Sequence, residues 1–168
     1  MAKKRLAMND PKVVPIVGEY FGVDLHKDQI TWHRIGRTND GRLIRTAGIV
    51  STDRLIEDFV PLLSTESCYV ILEASSSGFF FYSLVSPHCS KAFVINPSAF
   101  RELYMTGKKT DKIDAKRLAD RLMYHVEMND PEDGFPEVFV PDEEALQIRR
   151  LVTTYELLVK QATQLKNQ

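Results

Sequence analysis

The sequence has no run approaching the ~18 consecutive apolar residues that a membrane-crossing helix needs, so no helical span is expected. Lys3, Lys4 and Arg5 are not followed by the apolar segment of a secretion signal, and the expected location is the cytoplasm. Cysteine is scarce. Cys68 and Cys89 lack metal-ligand spacing and lie in apolar surroundings, which suits two buried free thiols and argues against a disulfide. An excess of one charge is also missing: 22 basic and 23 acidic residues give a net charge of −1, which does not announce a nucleic-acid binder. What remains is an ordinary soluble composition, 43% hydrophobic and 27% charged, enough for one domain and a helical extension.

The even mean hides a local asymmetry. Between Arg101 and Arg121 stand Lys108, Lys109, Lys112, Lys116 and Arg117 as well, against the acids Glu102, Asp111, Asp114 and Asp120. Acids set among cations suit a phosphate substrate, although a solvated helix face with alternating charges reads the same in one dimension. Within this stretch Thr110 is a natural N-cap, and Ile113, Ala115, Leu118, Ala119 and Leu122 have the spacing of a helix packed on one face. Asp111 and Asp114 then project from one side of its first turn, where acids also complement the helix dipole.

Residues 1–18 read as a flexible basic arm. Tyr20 to Leu25 forms a short strand carrying Asp24 at its end; Gln29 to Ile35 alternates as a second strand, and Asn39-Asp40-Gly41 turns into a third from Arg42 to Val50. A helix is expected from Ser51 or Thr52 to about Leu63, with Leu55, Ile56, Phe59, Val60 and Leu63 on one face. Ser67 to Glu73 is a buried strand ending on an acid, Phe79 to Val85 a helix, Lys91 to Ile95 a further buried strand, and Asn96-Pro97 opens a short helix to about Tyr104. Three antiparallel strands followed by helix, strand, helix, strand, helix is the element order of an α/β ribonuclease H-like fold over residues 19–128. Residues 129–141, with three prolines, read as a surface linker. From 142 to 168 a helix carries Ile148, Leu151, Tyr155, Leu158, Ala162 and Leu165 at heptad spacing, which fits a coiled-coil dimer or a helix packed on its own domain. The helix has no stop signal at Gln168, and the expectation is a fragment of a longer protein.

Asp24 and Glu73 end strands, where ligands of α/β sheets gather. With Asp111 and Asp114 they make four candidate acids for one metal site. Hard oxygen ligands of this kind favour magnesium or manganese, and paired divalent ions serve phosphodiester cleavage. In the structural alternative the four acids are dispersed or paired with lysines. Lys108, Lys109, Lys112 and Lys116 are candidate phosphate contacts, or a solvated rim. His26 is a turn residue within reach of a metal or phosphate, and Ser75 to Ser77 read as helix caps rather than nucleophiles.

Phe21-Gly22-Val23-Asp24-Leu25-His26-Lys27-Asp28, Leu72-Glu73-Ala74, Val94-Ile95-Asn96-Pro97 and Lys109-Thr110-Asp111-Lys112-Ile113-Asp114-Ala115 together resemble the successive motifs of the DEDD-type transposases of the insertion-sequence IS110 family, which includes the Piv-type DNA invertases. The resemblance runs from about Tyr20 to the C-terminus. Ala74-Ser75-Ser76-Ser77-Gly78 departs from it, standing where members have a threonine-glycine-aromatic turn. It implies a domain similar to the RuvC junction resolvase and the catalytic, Mg2+- or Mn2+-binding acids Asp24, Glu73, Asp111 and Asp114. It further implies a bacterial or archaeal source, DNA as substrate, a structured guide RNA, a coiled-coil segment that joins copies, and a second domain with a catalytic serine. A non-catalytic binding and dimerisation module and a stand-alone junction nuclease are the alternatives.

Overall fold

The computed structural model describes residues 15–64, 66–75, 77–99 and 111–166. They divide into two units, Met1–Val138 and Phe139–Gln168. The first is a five-stranded mixed sheet in the order β3-β2-β1-β4-β5, built from β1 (Ile16–Leu25), β2 (Gln29–Thr38), β3 (Leu43–Ser51), β4 (Cys68–Glu73) and β5 (Lys91–Ile95). β1, β2 and β3 form an antiparallel meander, whereas β4 and β5 run parallel to β1. The meander and both buried strands agree with the sequence reading.

β1 starts at Ile16, inside the segment expected to be a free arm, because Ile16 pairs with Thr38 and Asn39 donates its amide to the Pro15 carbonyl. The β2–β3 turn closes as Asn-Asp-Gly predicts: Gly41 has φ +84°, a conformation a Cβ resists, and its amide donates to the Thr38 carbonyl.

The helix expected from Ser51 to Leu63 is not a regular α-helix. Thr52–Arg54 and Val60–Leu62 are 3-10 turns flanking a π turn at Leu55–Phe59. Pro61 has no amide to continue an α ladder, and the winding changes around it. Only Leu55 and Phe59 of the expected face are buried; Ile56 is 65% exposed.

Alternation along β1 splits the core into two faces. One carries Phe21 with Trp32, Phe59 and Phe81, joined ring to ring at 5.6–5.9 Å. On this side α1 (Gly78–Val85) packs against β4 and β5. The other carries Tyr20, Ile71, Phe93 and Ile95 beneath Leu118, Ala119 and Leu122 of α2 (Asp111–Met128). Ala115 and Ala119 are fully buried, as their spacing predicts, while Ile113 remains 36% exposed.

Two features seat α2 on the sheet. Gly22 offers no Cβ where α2 crosses β1; one built there would lie under 3.0 Å from the Ala115 carbonyl, the Ala119 amide and the Leu118 Cβ. Arg37 of β2 grips Glu127 through its Nε and Nη2, and Arg45 of β3 pairs with Asp120 at 2.6 Å.

The stretch read as a surface linker is partly built into the sheet. Val138 donates its amide to the Val94 carbonyl, Asn96 donates to Pro136, and Glu137 bridges Ile95. Beneath this strap Asp133, buried, accepts from Arg121 Nη1 at 3.0 Å and contacts His125 Nδ1 at 2.7 Å; His125 stacks on Phe135 at 3.8 Å. The second unit holds α3 (Glu143–Lys166), whose seam residues Ile148, Leu151, Tyr155, Leu158 and Leu165 are exposed. No described helix is long and apolar enough to cross a membrane.

Candidate metal centre and nucleic-acid face

Asp24 sits at the end of β1, on the face that Gly22 opens to α2. The parallel register pairs Val23 with Leu72, so Glu73, the last residue of β4, is the next neighbour of Asp24 across the ladder. Asp111 and Asp114 fill the first turn of α2, and the glycine contact brings that turn down onto the strand end.

Asp24 and Asp111 converge on one imidazole. His26 Nε2 lies 3.1 Å from Asp24 Oδ2 and 3.2 Å from Asp111 Oδ2. Ligand atoms of the three residues all fall within 4.8 Å of one another, the one such group of three among the described residues. Glu73 and Asp114 lie outside that group. Asp114 is near enough for its charge to act on Asp24, and it also faces Arg117 at 3.9 Å. Burial pushes the Asp24 carboxyl above its ordinary value; His26 acts against this, and the charges of Asp111 and Asp114 add to it. Two carboxylate oxygens and an imidazole nitrogen within this span fit a divalent cation.

His26 was legible as a turn residue within reach of a metal or phosphate; its place between two acids depends on α2, which the local sequence does not contain. Of the serines, Ser75 caps, its Oγ accepting from the Gly78 amide at 3.0 Å, whereas Ser77, at the N-cap position of α1, makes no side-chain cap hydrogen bond and Ser76 falls outside the described residues. With Leu25, His26, Lys27, Ile30 and Phe80, Ser75 and Ser77 border a cavity of about 450 Å³ beside the metal group. Of the four candidate lysines, Lys112 and Lys116 lie on α2, whereas Lys108 and Lys109, like the Thr110 cap and most of the helix expected after Pro97, fall outside the described residues.

The sequence profile of the DEDD transposases of the IS110 type, described as transposase, matches residues 21–168. The chain belongs to the IS110-type DEDD transposases. Comparison with curated proteins finds no match. Membership agrees with the mixed sheet and its flanking helices, the RuvC-like fold of these transposases. It also makes DNA the partner that the family implies and a divalent metal the cofactor, in keeping with the acidic group at Asp24 and Asp111.

Proposed function

We propose that this chain carries the centre with which an IS110-type transposase cleaves DNA and transfers strands, with Asp24, Glu73, Asp111 and Asp114 holding Mg2+ or Mn2+. The observation that carries the reading is the meeting of Asp24 and Asp111, 87 residues apart in sequence, around one imidazole at a strand end. Glu73 borders the same spot through the β1–β4 register, and Asp114 acts on Asp24 through its charge. A divalent ion bound there supplies Lewis-acid stabilisation of charge on the phosphodiester oxygens.

The protein's own groups do the rest. Asp24, raised by burial, is a carboxylate that gains from a cation. His26 Nε2 either joins the ligand set or bridges the two carboxylates, and as a nitrogen donor it favours manganese over magnesium. Lys112 and Lys116, with Lys108 and Lys109 just before them in sequence, supply charge that holds the phosphate backbone. A structured guide RNA and a second copy of the chain, joined through the apolar seam of α3, complete the set of partners we propose.

Thermal melting under Mn2+ titration tests the centre. A ligand at a hundred times its dissociation constant stabilises by about 2.7 kcal/mol, which for a protein of this size raises Tm by roughly 5–11 °C. Wild type is expected to respond in this way, and Asp24→Asn and Asp111→Asn to lose most of the rise. Equal responses in all three proteins would refute the assignment.

A further inference from the structure

Beyond Asp24 the sheet holds a second set of polar groups. The registers put Thr31 opposite Asp24 and Ile49 opposite Thr31. With His33, Ala47 and Lys112 they line an open cavity of about 360 Å³ between the β2–β3 edge and the first turn of α2. Thr31 is only 2% exposed, yet its hydroxyl has no hydrogen-bond partner among the described residues, and neither has the buried His33 Nε2. A buried polar group left without a partner costs roughly 1–3 kcal/mol. Two of them on the wall of one cavity make an arrangement that a ligand with acceptor oxygens completes.

The charge around the cavity selects the ligand further. Lys112 lines it, and Arg45 and Lys116 act on His33. Burial first, then Arg45 and, behind the opposing Asp120, Lys116 hold the His33 imidazole below its ordinary value. A neutral imidazole still donates through an Nε2–H. A hydroxyl, an imidazole N–H and an ammonium suit an anion. Thr31 and Asp24 are on adjacent strands, about 4.8 Å apart in the ladder direction. An anion seated here is therefore next to whatever the acidic centre holds.

We propose that this cavity takes a backbone phosphate of the DNA strand engaged at the acidic centre, with Thr31 Oγ1, His33 Nε2 and Lys112 Nζ donating to its oxygens. The proposal rests on reading that centre as the place where DNA is cut. It makes Thr31 and His33 positioning residues that set the register of the strand on the metal group without touching the scissile bond.

The test uses the full chain with duplex DNA, single-stranded RNA and inorganic phosphate as probes. Thr31→Val keeps the side-chain shape and removes the hydroxyl, so it is expected to melt no lower than wild type. Its DNA affinity is expected to fall about tenfold, with no change in the salt slope because no charge is lost, and Thr31→Ser restores it. Lys112→Gln is expected to reduce the slope of log affinity against log salt by about 1. Inorganic phosphate is expected to move the His33 imidazole resonances of wild type and to leave those of Thr31→Val in place. Unchanged DNA affinity in Thr31→Val, or His33 resonances that ignore phosphate, overturns the proposal, as does a loss confined to RNA. The Mn2+ response separates the two readings: if it persists in Thr31→Val while DNA affinity is unchanged, the cavity assignment alone fails, and if wild type itself has none, the acidic centre fails.

Discussion

Replacing Gly22 with alanine is the sharpest test of how the acids are brought together. The added Cβ would lie under 3.0 Å from the Ala115 carbonyl oxygen, the Ala119 amide nitrogen and the Leu118 Cβ. None of these can rotate away, because two are backbone and the third is fixed to it. The helix must therefore lift from β1. Overpacking of a tight core costs about 1–3 kcal/mol, and rigid neighbours put this case at the upper end. Lifting also loosens Leu118 and Leu122, both now buried to within 1% of their surface. A loss of about 3 kcal/mol corresponds to a fall in Tm of roughly 6–12 °C for a protein of this size. The same movement carries Asp111 away from Asp24 and His26, so the Mn2+ stabilisation should shrink along with the stability. Gly41→Ala is the control. It is strained by φ +84° but meets nothing within 4 Å, so it should cost about 1–2 kcal/mol and leave the Mn2+ response intact. Calorimetry with and without Mn2+ reads both quantities. A Gly22→Ala protein that melts within 2 °C of wild type, or melts low yet keeps a full Mn2+ response, would refute the idea that this contact seats the acids (the threshold being roughly the 2–4 °C expected per kcal/mol).

The strap gives a pH prediction. Burial pushes the Asp133 carboxyl up, but hydrogen bonds from Arg121, His125 and the Phe135 amide outweigh it and bring the group down to about 2 from 3.8. Because the folded value is depressed, the stabilisation, about 2 kcal/mol, is present above pH ~4 and lost as pH falls towards 2. Asp133→Asn should therefore unfold about 3 kcal/mol more easily in urea at pH 7, having stranded Arg121, and its stability should change less between pH 4 and pH 2 than that of wild type. Parallel acid profiles of the two proteins would contradict the assignment. Burial pushes the Cys68 and Cys89 thiols up to about 12 and about 11. Disulfide-reagent labelling at pH 8 should be slow in the native protein and complete for both thiols in urea, whereas fast native labelling would mean the thiols are not enclosed.

The parts of the fold that were legible in the sequence are those set by local rules. Alternation along Gln29 to Ile35 and the Asn-Asp-Gly turn specify the meander, and the apolar runs ending at Glu73 and Ile95 specify covered strands. The turn region at Leu55 to Leu62 was misread because apolar spacing reports a wound segment without reporting its pitch, and Pro61 changes that pitch. The strap at residues 133–138 was hidden for a different reason. Prolines and acids without a period read as linker, and the pairing of Val138 with Val94 depends on an edge strand 44 residues earlier. At the site, acids at strand ends were visible, whereas the approach of Asp111 to His26 required the glycine contact between α2 and β1. Thr31 and His33 left no signal, since polar residues alternating along a strand normally face water.

The two halves of the proposed nucleic-acid face are tied together by one register. Asp24 opposes Thr31 across β1 and β2, so both point to the α2 side of the sheet. A one-residue shift of either strand would turn its polar group to the opposite face, where Phe21, Trp32 and Phe59 pack. The aromatic core opposes such a slip, because a shift of β1 would bury the Asp24 carboxylate and turn Phe21 out, and a shift of β2 would turn Trp32 out. Core packing on one side of the sheet thus fixes the polar layout on the other, with the proposed cation site at Asp24 and the proposed phosphate cavity one strand away. A phosphodiester bound to a divalent ion carries both of those charges, and few other ligands would satisfy the two sites at once.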